Sequence, residues 1–488
     1  MAVLQKQGLS QTNKKIIALA ISLFLIQFYG VTASNGSANS STSTSTTVTQ
    51  LWSFSTIGSV YAAPIVVDGY VYVNSYFDQA ALGGIFCLNA STGTQAWNYT
   101  TNGTTEGRPF SPVVADGRIY FNVQSGYLYC LNAYTGAHLW NISSAGYGNS
   151  PRLADGKAYI TSTDGNVYAL DVSTGAKIWT HTIGSPVYGQ PVVTGDYIYV
   201  TLRDDENTVY GIYCLDVSTG DEVWKVTIPE IAGYPVVEGD YLFVGALNVS
   251  SSNPIVFDGI VYAFDASTGS KIWSYPTGTF SSDNPNFVPV VVENFVYFSV
   301  GNKTFALDAS TGTEKWKFTS QNAIGSPLFS SSYVYVSSGA NVYCIDASTG
   351  TQKWASKIEG DEASSPVIAE SQVYVGSVGS QYFAKSVYHN VYALDALSGD
   401  KMWNCTIEGN PYSIAVAEGV VYVGTSFATT DSPDFEGNGA VYALKPITSS
   451  PLPSTLLVIA VVVVIMILAV VFLIYRIRRK EAQSPSPV

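Results

Sequence analysis

Few residues in this chain have the types and spacings that chemistry needs. Its three histidines, His138, His181 and His389, stand far apart, with no His-x-x-x-His pair and no Cys-x-x-Cys spacing, so no zinc centre is expected. Four of the five cysteines, Cys87, Cys130, Cys214 and Cys344, each follow Tyr or Phe and precede Leu or Ile and then Asp or Asn. Elsewhere Ala169, Ala263, Ala306, Ala393 and Ala443 stand in the equivalent place, so the position calls for a small, buried, apolar group, as a free cysteine is. Cys405 has no such counterpart. Asp431, Asp434, Glu436 and Asn438 put oxygen donors along one stretch; calcium accepts such ligands, but the spacing is not an EF-hand and a solvated acidic loop has the same composition. Asp204-Asp205-Glu206 reads as a charged turn. Asn35, Asn39, Asn89, Asn98, Asn102, Asn141, Asn248, Asn302 and Asn404 each begin an Asn-x-Ser/Thr sequon, the acceptor for N-glycosylation in an exported chain.

The elements that must position these residues repeat. Leu307-Asp308-Ala309-Ser310-Thr311-Gly312-Thr313-Glu314-Lys315-Trp316 reads as strand, tight turn, strand, with Asp308 bonding the turn backbone and Gly312 supplying a positive φ. Copies end in Trp97, Trp140, Trp179, Trp224, Trp273, Trp316, Trp354 and Trp403, and Trp52 stands without the turn before it. The tryptophans recur every 38 to 49 residues, near the period of four-stranded propeller blades. In the seventh unit, strand A lies around Ser326-Pro327-Leu328-Phe329, B at Tyr333–Val336, C at Asn341–Asp346, and D begins at Trp354. Strand A recurs around Pro64, Pro112, Pro151, Pro191, Pro235, Pro289, Pro327 and Pro366, and without proline at Ser413–Val416. The last unit lacks a tryptophan strand and the first piece, at Trp52, is only that strand, so the two ends should complete one composite blade and remove the open edge.

The ends of the chain differ from this body. Residues 1–33 have the basic start, apolar run and small-residue site of a secretory signal; a retained anchor is the alternative, although the run is shorter than the roughly 20 residues a span needs. Residues 34–50 form a Ser/Thr-rich stalk, 51–446 the repeats and 447–455 a linker. Residues 456–475 carry no charge and match a bilayer as a helix, and the basic cluster Arg476, Arg478, Arg479 and Lys480 keeps the tail, 476–488, cytoplasmic. The expected location is therefore the cell membrane, single-pass, with the repeats on the extracytoplasmic side. A net charge of −13, understated because both ends are basic, argues against a nucleic-acid partner.

The repeated Leu-Asp-Ala-Ser-Thr-Gly-x-x-x-Trp, over residues 51–446, resembles the pyrroloquinoline-quinone (PQQ) type of β-propeller repeat. The resemblance implies an all-β propeller of four-stranded blades, nine by count of units where the family habit is eight, so that one unit could lie outside the ring. A C-terminal transmembrane helix would follow. It also implies that Trp52, Trp97, Trp140, Trp179, Trp224, Trp273, Trp316, Trp354 and Trp403 dock onto neighbouring blades, with Ala309, Thr311, Gly312 and Trp316 the matching positions of one unit. The family includes quinoprotein alcohol and glucose dehydrogenases as well as non-catalytic relatives such as the propeller lipoprotein of the bacterial outer-membrane assembly machine. The dehydrogenases add a catalytic Asp, calcium ligands and, in many, a disulfide between adjacent cysteines. This chain has no adjacent cysteines. The expectation is a non-catalytic, membrane-anchored surface propeller without a cofactor; the alternative is an oxidoreductase using PQQ with calcium, and a purely structural envelope protein is a third reading. Successive strands alternate direction, so the A–B and C–D turns share one face. The long B–C connections Asn74 to Gly84, Leu247 to Gly259, Gly376 to Asn390 and Thr425 to Gly439 share the other, which is where a protein or glycan ligand is expected.

Overall fold

The computed structural model describes residues 45–449 other than 57, 78–81, 102–109, 144–148, 188, 205–208, 253–254, 282–287, 380–387 and 427–438. The signal-like start, most of the stalk, the linker from residue 450, the apolar run and the tail lie outside these residues, as do Asn35, Asn39, Asn102 and the four calcium candidates. Among the described residues every element is a strand, and none is a helix long and apolar enough to cross a membrane.

Residues 46–448 form one unit of nine antiparallel sheets. Eight are built from consecutive strands A to D, at residues 65–101, 113–143, 152–182, 192–228, 231–280, 290–319, 328–357 and 367–408, here blades 1 to 8. A two-residue strand, Glu362–Ala363, also pairs with strand B of blade 8. Blade 9 is composite: Asn410–Ala417, Val420–Ser426 and Gly439–Ser449 supply A to C, and Ser45–Thr56 from the other end of the chain lies beside the last as strand D. All nine units are blades, so no unit lies outside the ring, and the family habit of eight does not hold here. Strands A of neighbouring blades approach one another, which puts them innermost and strands D on the rim.

The core sits between blades rather than within them. Nine buried clusters each join one blade to the next, and the cluster of Trp52, Val71, Val73, Tyr422 and Val441 joins blade 9 to blade 1 and closes the ring. Each joint is fixed by the same device. A strand-D tryptophan lies 5.8 to 6.2 Å from a strand-B aromatic of its own blade, Tyr297 for Trp316 and Phe243 for Trp273. The indole then covers the glycine of the next blade's C–D turn. Gly350 has φ +72°, and a Cβ there would come within 2.6 Å of Trp316, so neither the conformation nor the space admits a side chain. Trp316 Nε1 donates to the Ala347 carbonyl of that turn at 2.8 Å, and Tyr297 Oη donates to the same oxygen at 3.2 Å.

Three joints depart from the pattern. At the joint of blades 9 and 1, Trp52 Nε1 donates to the Ala90 carbonyl at 2.8 Å, and among the described residues the Tyr422 hydroxyl adds no second bond to that oxygen. In blade 5 Phe243 has no hydroxyl, so among the described residues the Ala309 carbonyl accepts from Trp273 alone, at 2.8 Å. At the joint of blades 8 and 9, Trp403 is buried against Tyr374 and Tyr442, but blade 9 has no C–D turn to offer a carbonyl and Trp403 Nε1 has no partner among the described residues. Replacing each indole by a phenyl should therefore cost different amounts. Trp273→Phe should destabilise most, because it leaves a buried carbonyl unpaired, an expected further ~1–3 kcal/mol beyond lost packing. Trp316→Phe should cost less, since Tyr297 still serves Ala347, and Trp403→Phe should lose packing only. Denaturant melts of the three variants rank them; equal costs would remove the hydrogen bond from the docking argument.

Candidate binding surface

The two faces of the ring differ in how their polar groups are used. On the turn face, A–B turns such as Asp68-Gly69 and Asp116-Gly117 hold two consecutive positive φ values, 51° and 76° in the first, the form that matches strand twist. Each is tied to the C–D turn of its own blade, for example by Ala133 N donating to Gly117 O at 2.9 Å. The carboxylates of the C–D turns are consumed by those turns. Asp308 Oδ1 accepts from Ser310 N, Ser310 Oγ, Thr311 N and Thr311 Oγ1 at 2.7 to 3.1 Å, and Oδ2 pairs with Lys315 Nζ at 3.3 Å. The Ser310 hydroxyl above all, then Thr311 and Lys315, holds Asp308 well below the usual carboxylate range; Ser173 and Thr174 bring Asp171 down to about 2. The cysteines of the repeat are equally inert. Burial pushes Cys130 and Cys344 up to about 11, and all five cysteines are free thiols.

The loop face is different at the junction of blades 8, 9 and 1. The crossover from blade 9 to blade 1 is pinned to the base of blade 1's B–C hairpin by Ser59 N to Tyr76 O at 3.0 Å and Tyr76 N to Ser59 O at 3.1 Å. The same crossover is pinned to blade 9 by Val60 N to Thr425 O and Gly439 N to Gly58 O, both 3.0 Å, and by Ser59 Oγ and Ser426 Oγ at 2.7 Å. Asn410 Oδ1 accepts from Gly379 N at 3.1 Å and holds the root of blade 8's connection. On this base stands Tyr61, 52% exposed, its ring 5.8 Å from that of Tyr412 and tilted 47° to it. Ser426 Oγ donates to Tyr61 Oη at 3.4 Å. An exposed aromatic backed by a half-buried one, with hydroxyls and amide groups around them, can bury a flat apolar face of a ligand while bonding its edges.

The structure thus brings together the roots of three of the four expected connections. The tips, 78–81, 380–387 and 427–438, lie outside the described residues, and with them Asp431, Asp434, Glu436 and Asn438. The fourth, from Leu247 to Gly259, is a correction: it is a hairpin, with Leu247 opposite Gly259 and pairing that continues to Ser252 opposite Ile255. Val249 on one side and the run Ile255, Val256 and Phe257 on the other favour strand, and the turn-type residues gather in the Ser250–Pro254 stretch between them. Likewise most of Asn74 to Gly84 is ladder, up to Phe77 opposite Leu82. Sequence reasoning missed Tyr61 and Tyr412, and no local signal singles them out, because Phe110, Tyr147 and Tyr188 also stand just ahead of strand A in other units.

A quinone site would need a cation, a carboxylate base and a surface to clamp the ring. Strands Ile65–Val67, Val113–Ala115, Val192–Thr194, Val290–Val292, Leu328–Ser330 and Val367–Ala369 of the inner ring contain no charged residue, and among the described residues no three His, Cys, Asp or Glu side chains group as a metal site.

With blade count, docks and loop face in place, the class is a PQQ-like β-propeller. The chain belongs to the family described as "PQQ_2: Outer membrane protein assembly factor BamB", whose sequence model matches residues 31–226, 124–303 and 306–454. A Streptomyces griseus protein, serine/threonine-protein kinase AfsK, is 29% identical over 112 residues, 20% of this chain and 14% of the kinase, so the match spans about a seventh of that relative. Among solved structures, the quinohemoprotein alcohol dehydrogenase ADHIIG of Pseudomonas putida HK5 has a TM-score of 0.50 at 14% identity, with 83% of this chain and 77% of that one covered. The computationally designed Ika8 protein has a TM-score of 0.52 at 13% identity, with 80% and 99% covered. At these identities the likeness is one of fold.

The turn carboxylates predict the acid limb of stability. Their pKa values are depressed in the folded chain relative to about 3.9 unfolded, so their contribution is complete above pH ~4 and is lost as pH falls toward 2. Melting temperature should drop through that window. Asp308→Asn, which keeps the turn as Asn89 and Asn132 do naturally, should make the drop shallower. An unchanged slope in Asp308→Asn and Asp346→Asn together would assign acid sensitivity elsewhere.

Proposed function

We propose that this protein is a membrane-anchored, surface-exposed propeller that acts as a binding or scaffold module for a protein, glycan or envelope component, using the loop face at blades 8, 9 and 1. The observation that carries this reading is the exposed Tyr61, packed near the half-buried Tyr412, on a base held by backbone pairing. The family description names an assembly factor, which supports partner binding over catalysis.

The path of the chain supports an orientation. Strand Gly439–Ser449 runs toward the turn face, and Ser45–Thr56 starts from it, beside its partner. Both ends therefore leave the ring from the turn face.

The test is capture by the full-length protein from solubilised envelope, followed by crosslinking at the loop face. Tyr61→Ala with Tyr412→Ala should weaken retention of the crosslinked partner at least tenfold, ~1.4 kcal/mol, while leaving the melt unchanged for the exposed Tyr61 alone. Lys315→Ala on the rim should retain it. Loss with the rim variant and retention with the tyrosine variant would place binding elsewhere.

A further inference from the structure

Strands D are the outer edges of nine sheets, and each presents a row of unpaired backbone groups to solvent, the geometry through which sheets join other chains. Lysine is the usual protection, and blades 3 to 8 have it: Lys177, Lys225, Lys271, Lys315, Lys353 and Lys401 all lie in strand D. Three strands D contain no lysine, those of blades 1, 2 and 9. Blades 1 and 2 carry sequons there instead. Asn98 and Asn141 each follow the docking tryptophan directly, and Asn404 of blade 8 occupies the same repeat position.

At all three sites both the asparagine and the hydroxyl residue two places on, Thr100, Ser143 and Thr406, are exposed. Their amides make only surface contacts, Asn98 Nδ2 to Thr100 Oγ1 at 3.2 Å, Asn141 Oδ1 with His138 Nε2 at 3.1 Å and Asn404 Nδ2 to Asn390 Oδ1 at 3.4 Å. Asn302 is the opposite case. Its Nδ2 donates to Ser320 O at 3.0 Å, and Thr304 is fully buried with its hydroxyl paired to Ser299 at 2.9 Å. Because the tryptophan before each of Asn98, Asn141 and Asn404 packs against the next blade, the asparagine at the next position of the outer strand projects from the opposite face of the sheet, where a glycan can stand beside the edge.

We infer that Asn98, Asn141 and Asn404 carry N-linked glycans, and that at blades 1 and 2 the carbohydrate does for the exposed edge what lysine does in blades 3 to 8. This rests on the extracytoplasmic placement of the ring. The test uses full-length protein made in a host that N-glycosylates exported proteins. Enzymatic deglycosylation in heavy-oxygen water should convert Asn98, Asn141 and Asn404 to labelled Asp and leave Asn302 unlabelled. Light scattering should then show most of the Asn98→Gln/Asn141→Gln variant in higher-order species where the parent is monodisperse. Asn98→Lys/Asn141→Lys, which also lacks the sequons, should stay monodisperse. Unlabelled Asn98 and Asn141, labelling of Asn302 to the same extent, or a monodisperse Gln variant overturns the inference. Protease accessibility on intact cells separates the two readings: an external ring without label defeats the glycans alone, and a protected ring defeats both.

Discussion

The ring depends on one contact: an indole seated on a glycine that has neither a Cβ nor a negative φ. Each sheet buries its faces only against the next sheet, so a single blade has no core of its own, and cohesion is a chain of nearest-neighbour terms. The dock sets the angle of each such term. Gly93, Gly136, Gly175, Gly220, Gly269, Gly312, Gly350 and Gly399 all have φ between 69° and 79°, and at each a Cβ would fall 2.5 to 2.7 Å from the tryptophan of the preceding blade. The same turn that frees its carbonyl for the indole uses its Asp or Asn to hold its own backbone. Local turn chemistry and packing between blades are therefore specified by the same few residues.

That coupling explains why blade 9 is the exception. It has no C–D turn because its C and D strands come from opposite ends of the chain, so the glycine and carbonyl that Trp403 would use are missing. Trp52 on the other side of the same blade keeps the indole bond, donating to Ala90 O at 2.8 Å over Gly93. Closure thus gains one seated indole and leaves another indole N–H unpaired. The unpaired joint is also where the chain enters and leaves the ring.

Much of this was legible in the sequence because the repeat makes each signal appear many times: the period, the Thr-Gly turns, the tryptophans and the split last blade need no long-range information. The blade number was legible by counting, and only the habit of the family argued for fewer. The Leu247 to Gly259 hairpin was misread as loop because length alone suggested a connection, while Val249 and the run Ile255, Val256 and Phe257 pointed to strand. Tyr61 and Tyr412 were not legible as a pair. Tyr61 lies in the crossover into blade 1 and Tyr412 in strand A of blade 9, more than 300 residues apart in the chain, and only ring closure brings their rings to 5.8 Å.

The arrangement separates what holds the ring from what can vary. Docks and capped carboxylates lie on the turn face, where every unit repeats the same residues and leaves its polar atoms little spare capacity. At the loop face the connections of blades 8, 9 and 1 are rooted by backbone pairs and by small side chains such as Ser59, Ser426 and Asn410, which constrain the base without dictating the tips. Loop length and composition there can change without touching an indole or a turn glycine. Blades 2, 3, 6 and 7 show the alternative, with B and C joined by tight turns, such as Gly126 and Gly165 at positive φ. Recognition that varies between partners is physically cheap only where the connections are long, and in this chain three of them meet at one place on the rim of the loop face.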